Sequence, residues 1–294
     1  MKISVLTTIT NPDDRQDKWI EAMQCYLDLA DELVVVNGGT PATEELKKNL
    51  LPKVKLVELP WPHAWNWIEL PRHLNVGLQA CTGDWVIKLD VDQFFHEDDI
   101  PKVREELAKV PSNYIAVTFQ KMSMAYEKKY YQKGGQPIAF RKYPSIAIGK
   151  NLDRATDLCY PVQQTGVQVL YETMINTQGQ EIETNYKYYE LPIGHDVKTG
   201  KIGLHFWNYD YFFKTQDFTR KEFWRFSQAY HRYFKSWQFG DSEEAAFQVF
   251  LNMLKGRYNR SPYEYTLEEH PKYIRKAVEE LKPEQFGFNA WGLL

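Results

Sequence analysis

The chain has 294 residues, a net charge of −3, and 43% hydrophobic against 26% charged residues. That length fits one large domain or one domain with an appendage, and the composition suits a chain able to bury a real core. The near-neutral charge excludes general polyanion binding, so no nucleic-acid partner is expected and any phosphate must be held by a local site.

Cys25, Cys81 and Cys159 are odd in number, widely spaced and free of any CxxC pattern. Neither a disulfide framework nor a zinc site follows, and a reduced, cytoplasmic setting, at most peripheral to a membrane, is the simpler expectation. The opening MKISVLTTIT reads as a strand rather than a signal peptide. No stretch approaches the ~18 apolar residues of a membrane span. Aromatics reach 15%; sugars stack on such rings, although filling the core accounts for more of them.

Residues 3–9 are β-branched and apolar and predict a buried first strand. Asn11-Pro12-Asp13-Asp14 predicts a turn and a helix start. Trp19, Ile20, Met23, Tyr26, Leu27 and Ala30 then recur at helical spacing. Residues 32–36 predict a second strand, halted by Asn37-Gly38-Gly39. Thr40-Pro41 opens a short helix through Leu50. A third strand over 54–59, a helix over 71–82 closed by Gly83, and a fourth strand over 85–89 follow. This alternation predicts a parallel sheet covered on both faces, with ligands at the carboxyl ends of its strands. Thr8, Asn37 and Asp90 all fall at such ends. Residues 121–200 read as strands and loops completing the domain, with β-like runs at 137–143 and 167–171. Three helices follow: 218–237, one capped by Asp241 with Glu244 and running to Leu254, and 271–281. The expected division is a nucleotide-binding and catalytic domain over 1–215 and a packed helical extension over 216–294.

Asp90 and Asp92 flank a single residue directly after the fourth strand. Two carboxylates so close repel unless something positive compensates, and oxygen ligands suit Mg²⁺ or Mn²⁺. Such an ion bridges naturally to a diphosphate. The bare Asp-x-Asp is common in turns; its place at the end of an apolar strand gives it weight.

Residues 72–92, RHLNVGLQACTGDWVIKLDVD, carry Arg72, Asn75, Gly77, Gly83, Asp84 and Asp90-Val91-Asp92 in order. In that order they resemble the core of family 2-type glycosyltransferases of the GT-A fold, and the likeness runs over residues 3–120. The resemblance implies an α/β, Rossmann-like domain with a mostly parallel sheet and a nucleotide-sugar donor, UDP- or GDP-linked. It implies a glycan, lipid-linked or protein-linked acceptor and a single inverting displacement. By it, Asp92 would contact the metal and Asp90 the ribose or the metal. Thr7, Thr8 and Asn11 would line the nucleoside pocket, and Arg72 and Asn75 would lie near the nucleotide. The family's Asp after the second strand is replaced here by Asn37, which both donates and accepts and can still read a base edge.

The resemblance also implies a downstream metal ligand, for which His205 is the first candidate and His195 the second. An inverting displacement needs a carboxylate base. Asp153 and Asp157 are the candidates, with Glu172 third; each reads more readily as a solvated surface acid. Trp61, Trp65 and Trp67 form either an aromatic wall over a sugar or a core plug. Two rival readings stand beside the transferase. A sugar-nucleotide nucleotidyltransferase would carry a Gly-rich loop after the first strand, and residues 7–14 have none. A silent carbohydrate- or nucleotide-binding module would not need the intact aspartate pair. Oligomeric state is not legible.

Overall fold

The computed structural model describes residues 1–39, 53–61, 69–112, 114, 116–125, 129–142, 146–150, 159–163, 168–175, 181–188, 199–258 and 263–282. Strands β1 (Ile3–Ile9), β2 (Glu32–Asn37), β3 (Val54–Glu58) and β4 (Trp85–Lys88) pair in parallel in the order β3-β2-β1-β4. Beyond β4 the sheet continues through β7 (Lys129–Arg141), β6 (Ala116–Ala125), β12 (Thr199–Asn208) and the short β5 (Gln93–Phe94). β7 runs antiparallel to β4 and β6, and β12 lies parallel to β6. A two-residue strand, β13 (Tyr263–Glu264), pairs with β7. Two hairpins stand apart from this sheet: β8 (Ile146–Lys150) with β9 (Cys159–Gln163), and β10 (Gln168–Ile175) with β11 (Glu181–Tyr188).

The apolar runs of β1, β2 and β4 are continuous because both of their faces are covered. Alternate residues go to different cores. Ile3, Val5, Leu33, Val35, Trp85 and Ile87 pack with helix α1 (Trp19–Leu29) and the aromatics of β5 and β12. Leu6, Val34, Val36 and Val86 pack on the opposite face against Leu74 and Leu78 of α2 (Glu69–Ala80). Each fully buried side chain of this size contributes roughly 1.5–3 kcal/mol. Helix α3 (Ile100–Lys109), which the sequence reading passed over, buries only Val103 and Leu107. Helices α4 (Gln216–Phe234), α5 (Glu243–Tyr258) and α6 (Lys272–Glu279) follow the sheet. α5 begins one residue later than expected: the Ser242 hydroxyl, rather than Asp241, accepts from the Ala245 amide at 3.2 Å. A reciprocal box does form later, between Thr266 and Glu269 at a single 3₁₀ turn. The expected helix over 40–50 lies outside the described residues.

Among the described residues no helix is long and apolar enough to cross a membrane. Cys25 and Cys81 are buried free thiols.

The Gly83-Asp84 pair proves to be a fastening for β1. The Gly83 amide donates to the Ser4 hydroxyl at 2.8 Å, and Asp84 accepts from the Lys2 amide at 2.7 Å. A Cβ at Gly83 would stand 2.6 Å from the Ser4 nitrogen and 2.8 Å from the Trp85 carbonyl, both backbone atoms. Gly83→Ala is therefore expected to destabilise the protein by about 1–3 kcal/mol, as overpacking does. Calorimetry reads this as a lowered Tm, and an unchanged Tm would contradict the packing described.

Candidate active site

β4 ends in Lys88, an almost fully buried lysine whose Nζ donates to Asp90 Oδ2 at 2.7 Å. Gln93 closes the turn from the other side. Its Oε1 accepts from the Asp90 amide at 3.2 Å, and its Nε2 donates to Asp90 Oδ2 at 3.1 Å. From α1, the Tyr26 hydroxyl donates to the carbonyls of Asp90, at 2.5 Å, and Gln93, at 3.0 Å. Burial works against the Asp90 charge, but Lys88, with Lys121 and Arg15 further off, prevails and holds this carboxyl below its usual range. Its side chain still leaves 40% of its surface to solvent, so it sits deep between neighbours with one edge open.

Asp92 has the opposite fate. Its Oδ1 is buried and meets no hydrogen-bond donor among the described residues. Burial, then the charges of Asp210 and Asp90, push its carboxyl from 3.8 up to about 8, with Lys121 opposing. The backbone here is fixed by the Tyr209 amide, which donates to the Asp92 carbonyl at 2.8 Å where β12 runs past β5. A small pocket opens at this point, lined by Asp17, Lys18, Asp92, Phe94, Tyr209 and Asp210, with Phe213 and Lys214 closing it. Behind it Lys214 pairs with Glu222 at 3.1 Å and Asp17 at 3.6 Å, and Arg15 pairs with the same two acids at 2.9 and 3.1 Å. This network ties the loop after β1 to the start of α4. Gln16, at a φ of 58°, completes the tie by accepting from the Thr215 amide at 2.7 Å.

The remaining expected site residues divide. Thr8 and Asn37 do reach the carboxyl ends of neighbouring parallel strands, with Ile9 in register with Asn37. Asn37 is fully buried, however, donating to Glu58 at 2.9 Å and accepting from the Gly39 amide at 3.1 Å, so its side chain is engaged within the sheet. Thr7 is buried, its hydroxyl 3.5 Å from the Thr8 carbonyl. Asn11 takes a φ of 42°, and its buried Oδ1 has no hydrogen-bond partner among the described residues. It stands against Gly39, where an added Cβ would meet that oxygen at 2.1 Å. Arg72 is exposed on α2, and Asn75 donates back to the Pro71 carbonyl at 2.8 Å. Trp61 stacks on buried His73 at 4.0 Å, a packing role for that tryptophan; Trp65 and Trp67 lie outside the described residues, as do Asp153, Asp157 and His195. Glu172 sits on β10, opposite Thr184 in a hairpin separate from the main sheet.

His205 requires a correction. On β12 it lies four residues before Tyr209, the residue bonded to Asp92, which at the rise of a strand is about 13 Å. Its charged surroundings are Asp99, His96 and Lys102, and its ring packs edge-on to Trp207. Among the described residues it forms no metal-holding group with the aspartates. The acid that the fold does bring to Asp92 is Asp210. The signal was the one used for Asp90, an acidic residue at the exit of an apolar strand, hidden here among Trp207, Tyr209 and Tyr211.

Among the described residues no three His, Cys, Asp or Glu side chains form a metal-holding group. Asp90 and Asp92 nonetheless suit a divalent cation that draws much of its shell from a bound ligand. The unpartnered Oδ1 and the mutual repulsion of the acids are both relieved by positive charge.

Residues 20–162 match the model of glycosyl transferase family 2. Over that stretch the chain is similar to family 2 glycosyl transferases. That segment holds α1, β2, the Asp90 turn and the β6–β7 pair, and it supports glycosyl transfer in general terms. No curated protein matches the chain. Among solved structures, a mannosyltransferase from Pyrobaculum calidifontis in complex with GDP-Man and Mn²⁺ is 17% identical, with 48% of this chain and 44% of that one covered and a TM-score of 0.35. The S. aureus TarS 1-349 structure is 11% identical, with 88% and 72% covered and a TM-score of 0.36. A 4-diphosphocytidyl-2C-methyl-D-erythritol synthase from Anaerococcus prevotii is 16% identical, with 48% and 70% covered and a TM-score of 0.34. This chain thus spans less than half of the first of these, and such likenesses assign no substrate.

The Asp92 environment has a signature in pH. With its carboxyl raised from 3.8 to about 8 in the folded state, the folded protein binds more protons than the unfolded chain between those values. The stability this group contributes is therefore full below pH ~4 and is lost as pH rises to ~8. Asp92→Asn is expected to remove that loss, so that without metal the variant melts above the wild type at pH 8 and level with it near pH 4. Parallel melting curves across this range would contradict the described environment.

Proposed function

We propose that the protein transfers a sugar from a nucleotide-sugar donor to a hydroxyl of a glycan or related acceptor, with inversion, and depends on Mn²⁺ or Mg²⁺. The observation that carries this reading is the convergence of Asp90, Asp92 and Asp210 where the sheet's strands run out, with Asp92 Oδ1 left without a donor. Asp90 and Asp92 would hold the cation, which when bound neutralises the diphosphate of the donor. The nucleoside would lie over the ends of β1 and β2, where Asn11 offers an unpartnered carbonyl oxygen beside Gly39. Thr7 and Thr8 would flank it, and Arg72 and Asn75 would approach from α2. With Asn37 tied to Glu58 and Gly39, Asn11 is the better candidate to read the base.

Asp210 would serve as the base in place of Asp153, Asp157 or Glu172. It lines the small pocket beside Asp92, together with Asp17 and Lys18. Its carboxylate takes the proton of the acceptor hydroxyl as that oxygen bonds to the anomeric carbon. The bond from that carbon to the diphosphate breaks on the opposite side, and nucleoside diphosphate leaves.

Asp210→Asn is expected to lower transfer by about 10²–10⁴-fold, the range of general-base catalysis, while donor affinity and Tm are retained. Asp92→Ala is expected to abolish metal-dependent turnover in a folded protein. The product also discriminates: nucleoside diphosphate supports transfer, whereas pyrophosphate would establish a nucleotidyltransferase. Full activity in both variants would refute the assignment.

A further inference from the structure

The segment that delivers Asp210 is anchored from far along the chain. Tyr209 is 2% exposed, and its hydroxyl meets His270 Nδ1 at 2.7 Å across 61 residues of sequence. His270 is 1% exposed, and its Nε2 has no partner among the described residues. Tyr209 packs edge-on to Phe94 and Phe212 and stacks on Phe213. Tyr265 stands edge-on to the His270 ring at 4.5 Å.

The histidine is itself strapped down. Arg275 donates to the His270 carbonyl at 2.8 Å and to Glu97 at 2.9 Å. Glu97 also accepts from the Lys272 amide at 2.7 Å, and the Tyr273 hydroxyl donates to Asp28 on α1 at 2.5 Å. The strap thus spans α1 and the segment just after β5. Burial, with Arg275 close by, pushes the imidazole down to about 4, so it stays neutral and shares one hydrogen bond between Nδ1 and the Tyr209 hydroxyl.

We infer that His270 is a positioning residue: through the Tyr209 hydroxyl it fixes the strand exit that holds the Asp92 carbonyl and presents Asp210 to the pocket. Tyr209 is the hinge of this arrangement, because its amide holds Asp92 while its hydroxyl is held by His270. Outer partners of this kind commonly set metal affinity by 10–100-fold. The inference rests on the proposed cation site, and the test separates the two.

The experiment is a double-mutant cycle on Mn²⁺ affinity, read by electron paramagnetic resonance in the presence of a nucleoside diphosphate, with Tm recorded for every variant. Tyr209→Phe and His270→Phe are each expected to weaken Mn²⁺ binding about tenfold, and the double variant to be no worse than either single one. His270→Asn, whose amide oxygen can stand where Nδ1 stands, is expected to recover most of the affinity. A general loss of stability would lower Tm without this pattern. Wild-type affinity in both single variants, or losses that multiply, would overturn the inference and leave the cation site standing. Wild-type protein that binds no Mn²⁺ would overturn both.

Discussion

Repulsion among carboxylates at one strand exit organises this molecule. Asp90, Asp92 and Asp210 are drawn together by backbone pairing between the Asp90 turn and β12, and no lysine reaches the Asp92 side chain at contact distance among the described residues. Lys88 is committed to Asp90. Lys214 and Arg15 are committed to Asp17 and Glu222. Asp92 and Asp210 line a small pocket, while Asp90 keeps one edge open to solvent. Folding tolerates such a site only because the surrounding frame over-determines it.

That frame is polar where a sheet centre is usually apolar. Lys88, Gln93, Lys121, Ser123 and Asn208 are all buried beneath the turn. Buried polar groups cost stability unless paired, and Gln93 answers this by bonding Asp90 twice and lying 3.5 Å from the Asn208 oxygen. The Ser123 hydroxyl, like Asp92 Oδ1, finds no partner among the described residues. Stability is instead supplied by the two hydrophobic layers on either side of β1, β2 and β4. Residues 263–282 then add Tyr265 and Ile274 to the core and brace the rim through Glu97, Asp28 and the Tyr209–His270 contact.

The parallel half of the sheet was legible because its signals are local. Continuous β-branched runs, a helical period through Trp19 and Tyr26, and the stop at Gly83 each specify one element within a residue or two of its bounds. The Asp90 turn was legible for the same reason. Asp210 was not, because its partnership with Asp92 depends on β12 crossing to β5 over more than a hundred residues. His205 misled because a histidine in an aromatic run looks the same whether its strand carries it to the aspartates or four residues short of them. Asn37 lies at its strand end as expected, and its amide there bonds Glu58 and Gly39. The capping of α5 shifted by one residue because Ser242 offers a hydroxyl next to Asp241, and short-range alternatives of that kind are nearly degenerate.

The central claim is that positive charge belongs between Asp90 and Asp92. Anomalous diffraction from crystals of the whole chain soaked with Mn²⁺ and a nucleoside diphosphate measures this directly. The account predicts one strong manganese peak at coordinating distance from Asp92 Oδ1, with diphosphate oxygens on its far side. A manganese peak held elsewhere, with the Asp92 carboxyl still unpartnered beside Asp210, would contradict it.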